Sequence, residues 1–394
     1  MARKKITKKQ QKQIKKAAKK RPILFILILL LIVAIVGCCV LHKKGVIHIP
    51  FLDKFIPQDT QIEGEGGEFT AEEIDSIKRS DLSIHFLELG NKYTGDCTLI
   101  KVGDTEVLID AGSRQNSAPT IQSYINQFCS DGVLEYVIAT HADQDHIAAM
   151  PQIFEAYTCE MIIDFPRTGK DTQVYNNYVD AREAEVAAGA THYTALDCWN
   201  EENGAKKSYT LGDGIAMNFL YQKFYEEDTS DENDYSVCML LTQTENGKTT
   251  NYLFTGDLEK EGEESLVAHN DLPKCTLFKG GHHGSKTSST DTLLSVIEPE
   301  IVCVCCCAGS DEYGANPENT FPTQAFVDRV SKYTPNVYVT TLANDSEQGY
   351  ESMNGNIVII ANDGQIQVRC TNNATLLKDT EWFKNNRTMP SSWR

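Results

Sequence analysis

From Leu82 onward the chain alternates short β-rich runs with helical patterns, each run closed by Gly, Asp or Asn, and few folds accommodate that alternation. The pattern predicts strands at 83–89, 98–102, 106–109, 136–139, 161–164, 215–220, 236–242, 251–254, 275–278, 301–306, 336–340, 356–360 and 365–369. Helices are predicted at 119–128, 147–157, 175–188, 262–269, 290–297 and 323–333. Asn246-Gly247 and Asp363-Gly364 mark hairpin turns. So many strands interleaved with helices imply layered α/β (α+β) packing, with two sheets covered by helices. No repeat of the solenoid kind is present.

Charge divides the chain. Residues 1–44 carry thirteen Lys and Arg and no acid, whereas the remaining 350 residues carry 24 basic against 55 acidic residues, a net of −31. Such a body argues against charge-driven binding of nucleic acid, which presents a basic face. Residues 22–41, PILFILILLLIVAIVGCCVL, are uncharged and follow eleven positive charges. At a rise of about 1.5 Å per residue, that run is long enough for a hydrocarbon core of about 30 Å. The expectation is a basic cytoplasmic tail at 1–21, a single-pass transmembrane anchor at 22–41 in contact with membrane lipid, and an extracytoplasmic body. Cleavage and lipidation at Cys38, in a lipobox-like Ile35-Val36-Gly37-Cys38, is the alternative. Residues 42–81 read as an acidic flexible linker, since 57–81 are acidic, Gly-containing and poor in large apolar side chains, with a short helix near 71–77; 371–394 reads as a tail.

Thirteen cysteines do not form a disulfide pattern, since two lie in the apolar run and eleven remain. Cys303, Cys305, Cys306 and Cys307 sit on a predicted strand without a CxxC pair or partner His, so they read as small buried hydrophobes.

Polar chemistry gathers at strand ends. His141, Asp143, Asp145 and His146 follow one strand and enter a helix; His282 and His283 follow another in a Gly-rich setting. Asp96, Asp110 and Asp257 also stand at strand ends, where each alone would read as a turn residue. Imidazoles and carboxylates without thiolate form an N/O donor set suited to Mn²⁺, Zn²⁺ or Mg²⁺.

The run His-x-Asp-x-Asp-His at 141–146 resembles the metal-binding signature of the metallo-β-lactamase superfamily, with Asp143 where a second His is usual. Together with FLELG at 86–90, GD at 95–96, LIDAG at 108–112, FTGDLEKE at 254–261 and KGGHHGSKTSS at 279–289, it resembles the hydrolase domain of ComEC-type competence proteins over residues 82–370. The resemblance implies a four-layered αββα sandwich with a metal site along one edge of the sheets. It implies one or two divalent ions held by His141, Asp143, Asp145, His146 and Asp257, the last bridging, with His282 or His283 as a late ligand. Asp110 would support the site from beneath, Asp96 would lie near it, and Ser285, Lys286 and Ser288 would form a loop facing an anionic substrate. Two departures stand out. His192 is the sole His between the first cluster and Asp257 and lacks a strand-end Gly motif, and Asn319-Thr320-Phe321-Pro322 lacks a family His. The second ion would then be weakly held or absent.

Two cations about 3.5–4 Å apart would hold a bridging hydroxide for in-line displacement at phosphorus. Asp145 is expected to ligate and to orient the attacking hydroxide, and Lys286 to stabilise developing charge. Asp143 in place of His shifts preference toward Mn²⁺ or Mg²⁺. The expected activity is phosphodiester hydrolysis, of DNA or of a small phosphodiester. The alternatives are hydrolysis of another small ester and a catalytically silent binding module. No protein partner is evident.

Overall fold

The computed structural model describes residues 34–38 and 64–394, apart from residues 315 and 363. Residues 34–38 are helical; the rest of the apolar run at 22–41, and the linker as far as residue 63, lie outside the described residues. Among the described residues no helix is long and apolar enough to cross a membrane. Gly64–Arg394 forms one compact unit, described here.

The first sheet takes β1 (Gly64–Gly66), β2 (Leu82–Phe86), β3 (Thr98–Val102), β4 (Thr105–Ile109), β5 (Val133–Ile138), β6 (Thr158–Asp164) and β7 (Thr191–Thr194). The second takes β8 (Ser208–Gly212), β9 (Ile215–Leu220), β10 (Cys238–Glu245), β11 (Lys248–Phe254), β12 (Leu277–Lys279), β13 (Ile301–Ala308), β14 (Val337–Ala343) and β15 (Tyr350–Ser352). β16 (Ile357–Asn362) and β17 (Gln365–Cys370) return to the first. The spatial orders are β1-β17-β16-β2-β3-β4-β5-β6-β7 and β15-β14-β13-β12-β11-β10-β9-β8.

Both sheets are mixed, and their parallel parts place the site. β4, β5 and β6 are mutually parallel, as are β11, β12, β13 and β14. Parallel neighbours deliver their carboxyl ends to one edge, where α/β sheets gather ligand-binding loops. β3 is antiparallel to β4 and β10 to β11, so the segments entering β3 and β10 reach the same edges.

Helices Met150–Ala156 and Gln173–Ala188 pack beside β6, with Ala118–Ile125 against Met150–Ala156, while Lys260–His269, Asp291–Ile297 and Gln324–Val330 flank the second sheet. Leu293, Ile297, Phe326 and Val330 meet Leu253, Phe278, Val302 and Val304 in one buried cluster. Between the sheets, Phe86 stacks on Phe254 with ring centroids 6.4 Å apart. Two sheets with outer helices give the layered α/β packing expected from the alternation and the four layers implied by the resemblance.

β13 is buried along its whole length, on both faces, so Cys306 is enclosed as well as Cys303, Cys305 and Cys307. A strand covered on both sides needs an unbroken apolar run, and the small thiols supply it. Burial pushes these thiols up, Cys307 to about 12, which leaves them protonated and inert.

Two segments differ from the compositional reading. Residues 64–81 are folded: Gly64, Glu65 and Gly66 pair in parallel with Val368, Arg369 and Cys370. Helix Ala71–Lys78 follows, started by a capping box between Thr70 and Glu73. Arg369 ties both to the sheet through Glu65 and Glu73. Residues 371–394 are also folded, with Leu377, Phe383 and Trp393 buried in the core of the second sheet. Short edge strands and single anchoring aromatics leave little compositional trace, which is why both segments read as spacers.

Candidate metal centre

Asp110 closes β4, His141 lies three residues past β5, Asp257 three past β11, and His282 and His283 just past β12. Asp96 comes from the segment entering β3 and Ser236 from the segment entering β10. Close backbone approach seals the first-sheet half. A Cβ on Gly112 would lie 1.5 Å from the carbonyl oxygen of Asp145, so only glycine fits there.

The carboxylate of Asp110 organises two imidazoles. It accepts from Thr140 N at 2.8 Å, from the Thr140 hydroxyl at 2.7 Å and from His146 Nδ1 at 2.8 Å. With its proton given to Asp110, the Thr140 oxygen is free to accept from His141 Nδ1 at 3.1 Å. Ser236 Oγ lies 3.3 Å from the same nitrogen and accepts from Asp257 N at 3.0 Å. His283 Nδ1 donates to the carbonyl of Cys305 at 2.8 Å. All three rings therefore have Nδ1 anchored, which turns Nε2 and its lone pair toward the common centre.

The facing atoms converge. Asp257 Oδ2 lies 3.2 Å from His146 Nε2 and 3.0 Å from His283 Nε2, and Asp145 Oδ2 lies 3.2 Å from His283 Nε2. One donor atom each from Asp145, His146, Asp257 and His283 fall within 4.8 Å of one another. His141 Nε2, His146 Nε2 and Asp257 Oδ1 are buried without a hydrogen-bond partner. Buried polar atoms are rarely left so, and a divalent cation in the cluster would satisfy His146 Nε2, whereas Asp257 Oδ1 is turned toward Lys279. The donor set thus fits the divalent ion implied by the sequence.

Burial is the largest influence on each group. It holds His141 down to about 3, with His146 acting in the same direction, so His141 is a neutral donor. For His146, burial opposes charge, but Asp257 and Asp110 outweigh it and hold the ring well above its usual range. Asp257 and Asp96 do the same for His283. Burial pushes Asp257 up, yet His283 and His146 hold it well below the carboxylate range. Burial keeps Asp110 raised despite His146.

His282 and His283 both adopt left-handed backbone conformations, with φ of 43° and 52°, which turn the two rings to different partners. His283 joins the buried cluster. His282 Nδ1 pairs with Glu259 Oε1 at 3.1 Å, and its Nε2 stands 4.0 Å from Asp257 Oδ2. Asp143 lies at the rim, with Oδ2 3.8 Å from His141 Nε2. Asp96 Oδ1 lies 3.3 Å from His283 Nδ1, beneath the cluster.

Three residues of the late loop face elsewhere. The exposed Lys286 donates to Asn319 at 2.9 Å. Ser288 donates at 3.2 Å to Glu263, which also receives Ser289 N and Thr290 N; Ser285 bonds to Thr287. Buried Glu263 draws that loop inward, so neither Lys286 nor Ser288 contacts the donor cluster. His192 pairs with Asp164 at 2.9 Å, as a structural reading expects.

Two participants were given no role by the sequence. Lys279, the last residue of β12, buries its ammonium against Asp96, with Asp257 Oδ1 at 3.6 Å and the Gly256 carbonyl at 3.4 Å. Burial works against that charge, but Asp96 and Asp257 hold the ammonium above its ordinary range. A Lys ending an apolar strand just before Gly280-Gly281-His282-His283 is the clue the sequence offered. Tyr313 donates its phenol to Asp145 Oδ2 at 2.6 Å and packs on Phe321, centroids 5.2 Å apart. It comes from an irregular loop without periodic pattern, and nothing in the sequence marked it.

Residues 90–162 match the family model of the metallo-beta-lactamase superfamily. ComE operon protein 3 of Bacillus subtilis is 26% identical over 170 residues, 42% of this chain and 19% of that protein. Recombination protein 2 of Haemophilus influenzae is 26% identical over 251 residues, 63% of this chain and 27% of that protein. Competence protein ComA of Neisseria gonorrhoeae is 28% identical over 210 residues, 52% of this chain and 25% of that protein. The chain thus spans 19–27% of the length of these relatives. Among solved structures, the metallo-beta-lactamase fold protein YhfI from Bacillus subtilis aligns with a TM-score of 0.37 and 11% identity, over 67% of this chain and 98% of that chain. Residues 90–162 thus match the metallo-β-lactamase superfamily, and over 42–63% of its length the chain is similar to ComEC-type competence proteins.

Proposed function

We propose that this protein is a metal-dependent phosphodiesterase of nuclease type, held at the outer face of the cell membrane by residues 22–41. The observation that carries the chemistry is the anchoring of His141, His146 and His283 through Nδ1, which turns their Nε2 atoms, two of them without a hydrogen-bond partner, toward the cluster of Asp145 and Asp257. A divalent ion held by Asp145, His146, Asp257 and His283, with His141 and Asp143 beside it, would supply Lewis acidity toward a phosphoryl oxygen and lower the pKa of a nucleophilic water.

The chain's own residues do the rest. Asp110, Thr140 and Ser236 keep the imidazoles oriented, so that little reorganisation is needed on substrate binding. Asp145, with one carboxylate oxygen shared by His283 and Tyr313, orients the attacking nucleophile. Lys279 offsets the charge of Asp96 and Asp257 from beneath. The net charge of −31 beyond residue 44 supports a second reading, a small phosphodiester in place of DNA, because a long polyanion is repelled by an acidic body without a basic track.

Metal-stripped full-length protein, assayed with Mn²⁺, Mg²⁺ and Zn²⁺ on bis(p-nitrophenyl) phosphate, single-stranded and duplex DNA, and a chromogenic β-lactam, tests the reading. Cleavage of a phosphodiester that disappears in His141→Ala and Asp257→Asn is the expected result. Cleavage of none, or cleavage that survives both substitutions, overturns it, and a protein that binds metal without turnover would be a binding module. The mass of the membrane-extracted protein distinguishes an uncleaved anchor from a lipoprotein that begins at Cys38.

A further inference from the structure

Lys170 stands on the segment between β6 and helix Gln173–Ala188, outside every motif named above. Its ammonium forms an ion pair with Asp143 Oδ1, the rim carboxylate whose other oxygen faces His141. The position is built. Glu232 accepts from Gly169 N at 2.9 Å and from the Thr168 hydroxyl, and Thr168 Oγ1 accepts from Lys170 N at 2.9 Å, so the backbone carrying Lys170 is clamped on both sides.

The donors divide into two unequal groups. Asp145, His146, Asp257 and His283 form a compact inner set, three of them buried. His141 and Asp143 stand outside that set, with Asp143 Oδ2 3.8 Å from His141 Nε2; His192, the one other His between the first cluster and Asp257, is committed to Asp164. A fixed positive charge on Asp143 cancels part of the attraction a second cation would use there, and would repel that cation once bound.

We propose that Lys170 is a tethered competitor for the outer cation position, so that the inner set takes one divalent ion tightly and the outer position takes a second only by displacing Lys170 from Asp143. This rests on the metal-centre reading above and deepens it: Lys170 sets how many ions the protein holds at a given metal concentration. A substrate oxyanion arriving at the rim would also draw Lys170 away, which couples occupancy of the outer position to the presence of an anionic ligand.

The test is calorimetric titration of Mn²⁺ into the metal-stripped full-length protein, with metal content after dialysis measured by mass spectrometry. Wild type is expected to hold one ion tightly and a second about 10-fold to 100-fold more weakly, the range by which groups contacting ligands shift metal affinity. Lys170→Met is expected to tighten the second ion by about 10-fold and leave the first unchanged, while Lys170→Arg keeps the gap. The side chain is one-third exposed, so the variants should fold; unfolding curves verify this. Two equally tight ions in wild type, or a second affinity unmoved by Lys170→Met, overturns the inference while leaving the metal centre standing. Absence of Mn²⁺ binding in every variant overturns both.

Discussion

The carboxylate of Asp110 sits 2.8 Å from Nδ1 of His146, and that bond decides which ring nitrogen of His146 faces the centre. Asp110 holds this place with φ of 60°, a conformation that costs a non-glycine residue free energy unless the surroundings fix it. Asp110→Asn should weaken Mn²⁺ binding by about 10-fold to 100-fold, because the ring loses its charged acceptor. Titration against a fluorescent chelator measures this, and an unchanged affinity would show that Asp110 does not orient His146.

Lys279 and Lys286 lie seven residues apart in sequence and should behave oppositely. Lys279→Met leaves Asp96 buried without its ammonium and should cost the metal-free protein about 3–5 kcal/mol in urea unfolding. Lys286→Met removes an exposed bond to Asn319 and should change stability by less than about 0.5 kcal/mol.

At Gly112 the backbone of Asp145 leaves no room for a methyl group. Gly112→Ala should destabilise the fold by more than about 3 kcal/mol, since the clash is with backbone and cannot be relieved by a rotamer change. A melting temperature within a few degrees of wild type would contradict the close approach.

Away from the metal centre, His85 is buried between Tyr124 and Ser83, at 2.9 and 2.8 Å. Burial, reinforced by Lys101, holds its pKa down to about 3. Unfolded, the ring takes up a proton near pH 6.5; folded, it does so only near pH 3, so the unfolded state binds more protons between these values. Its contribution is therefore complete above pH 6.5 and is lost as pH falls toward 3, by roughly 1.4 kcal/mol per pH unit. His85→Gln keeps two hydrogen bonds without a titrating group. In metal-free protein it should flatten the dependence of unfolding free energy on pH by about one proton, and a slope equal to wild type would contradict this.

Removal of metal should itself be visible. If the ion binds only the folded chain, Mn²⁺ at about 100 times its dissociation constant adds about 2.7 kcal/mol, and a chelator removes it. Differential scanning calorimetry with and without chelator checks the shift, which should vanish in His146→Ala.

The interior of both sheets was legible because central strands carry long apolar runs: residues 98–102 and 215–220 match β3 and β9. The four strands that the pattern did not predict, β1, β7, β8 and β15, are the four edges of the two sheets. Edge strands are short and partly face solvent, so hydrophobicity marks them weakly; in β8 only Tyr209 and Leu211 alternate inward. At the site, residues in motifs at strand ends were legible as a group. The division of labour between His282 and His283 was not, because it depends on two left-handed backbone conformations. Lys170 and Tyr313 were invisible for a related reason: each arrives from a loop whose path is set by distant contacts, Glu232 for one and Phe321 for the other.

The pairing of β1 with β17 bears on any attempt to make the domain free of its apolar run. β17 would otherwise present an open row of amides and carbonyls from Val368 to Cys370, the kind of template along which chains add to one another. A truncation at residue 82, where the β-rich pattern begins, strips that cover together with the Glu65 and Glu73 partners of Arg369. A truncation ahead of Gly64 keeps the strand, and the two versions should part company in solubility well before they differ in catalysis.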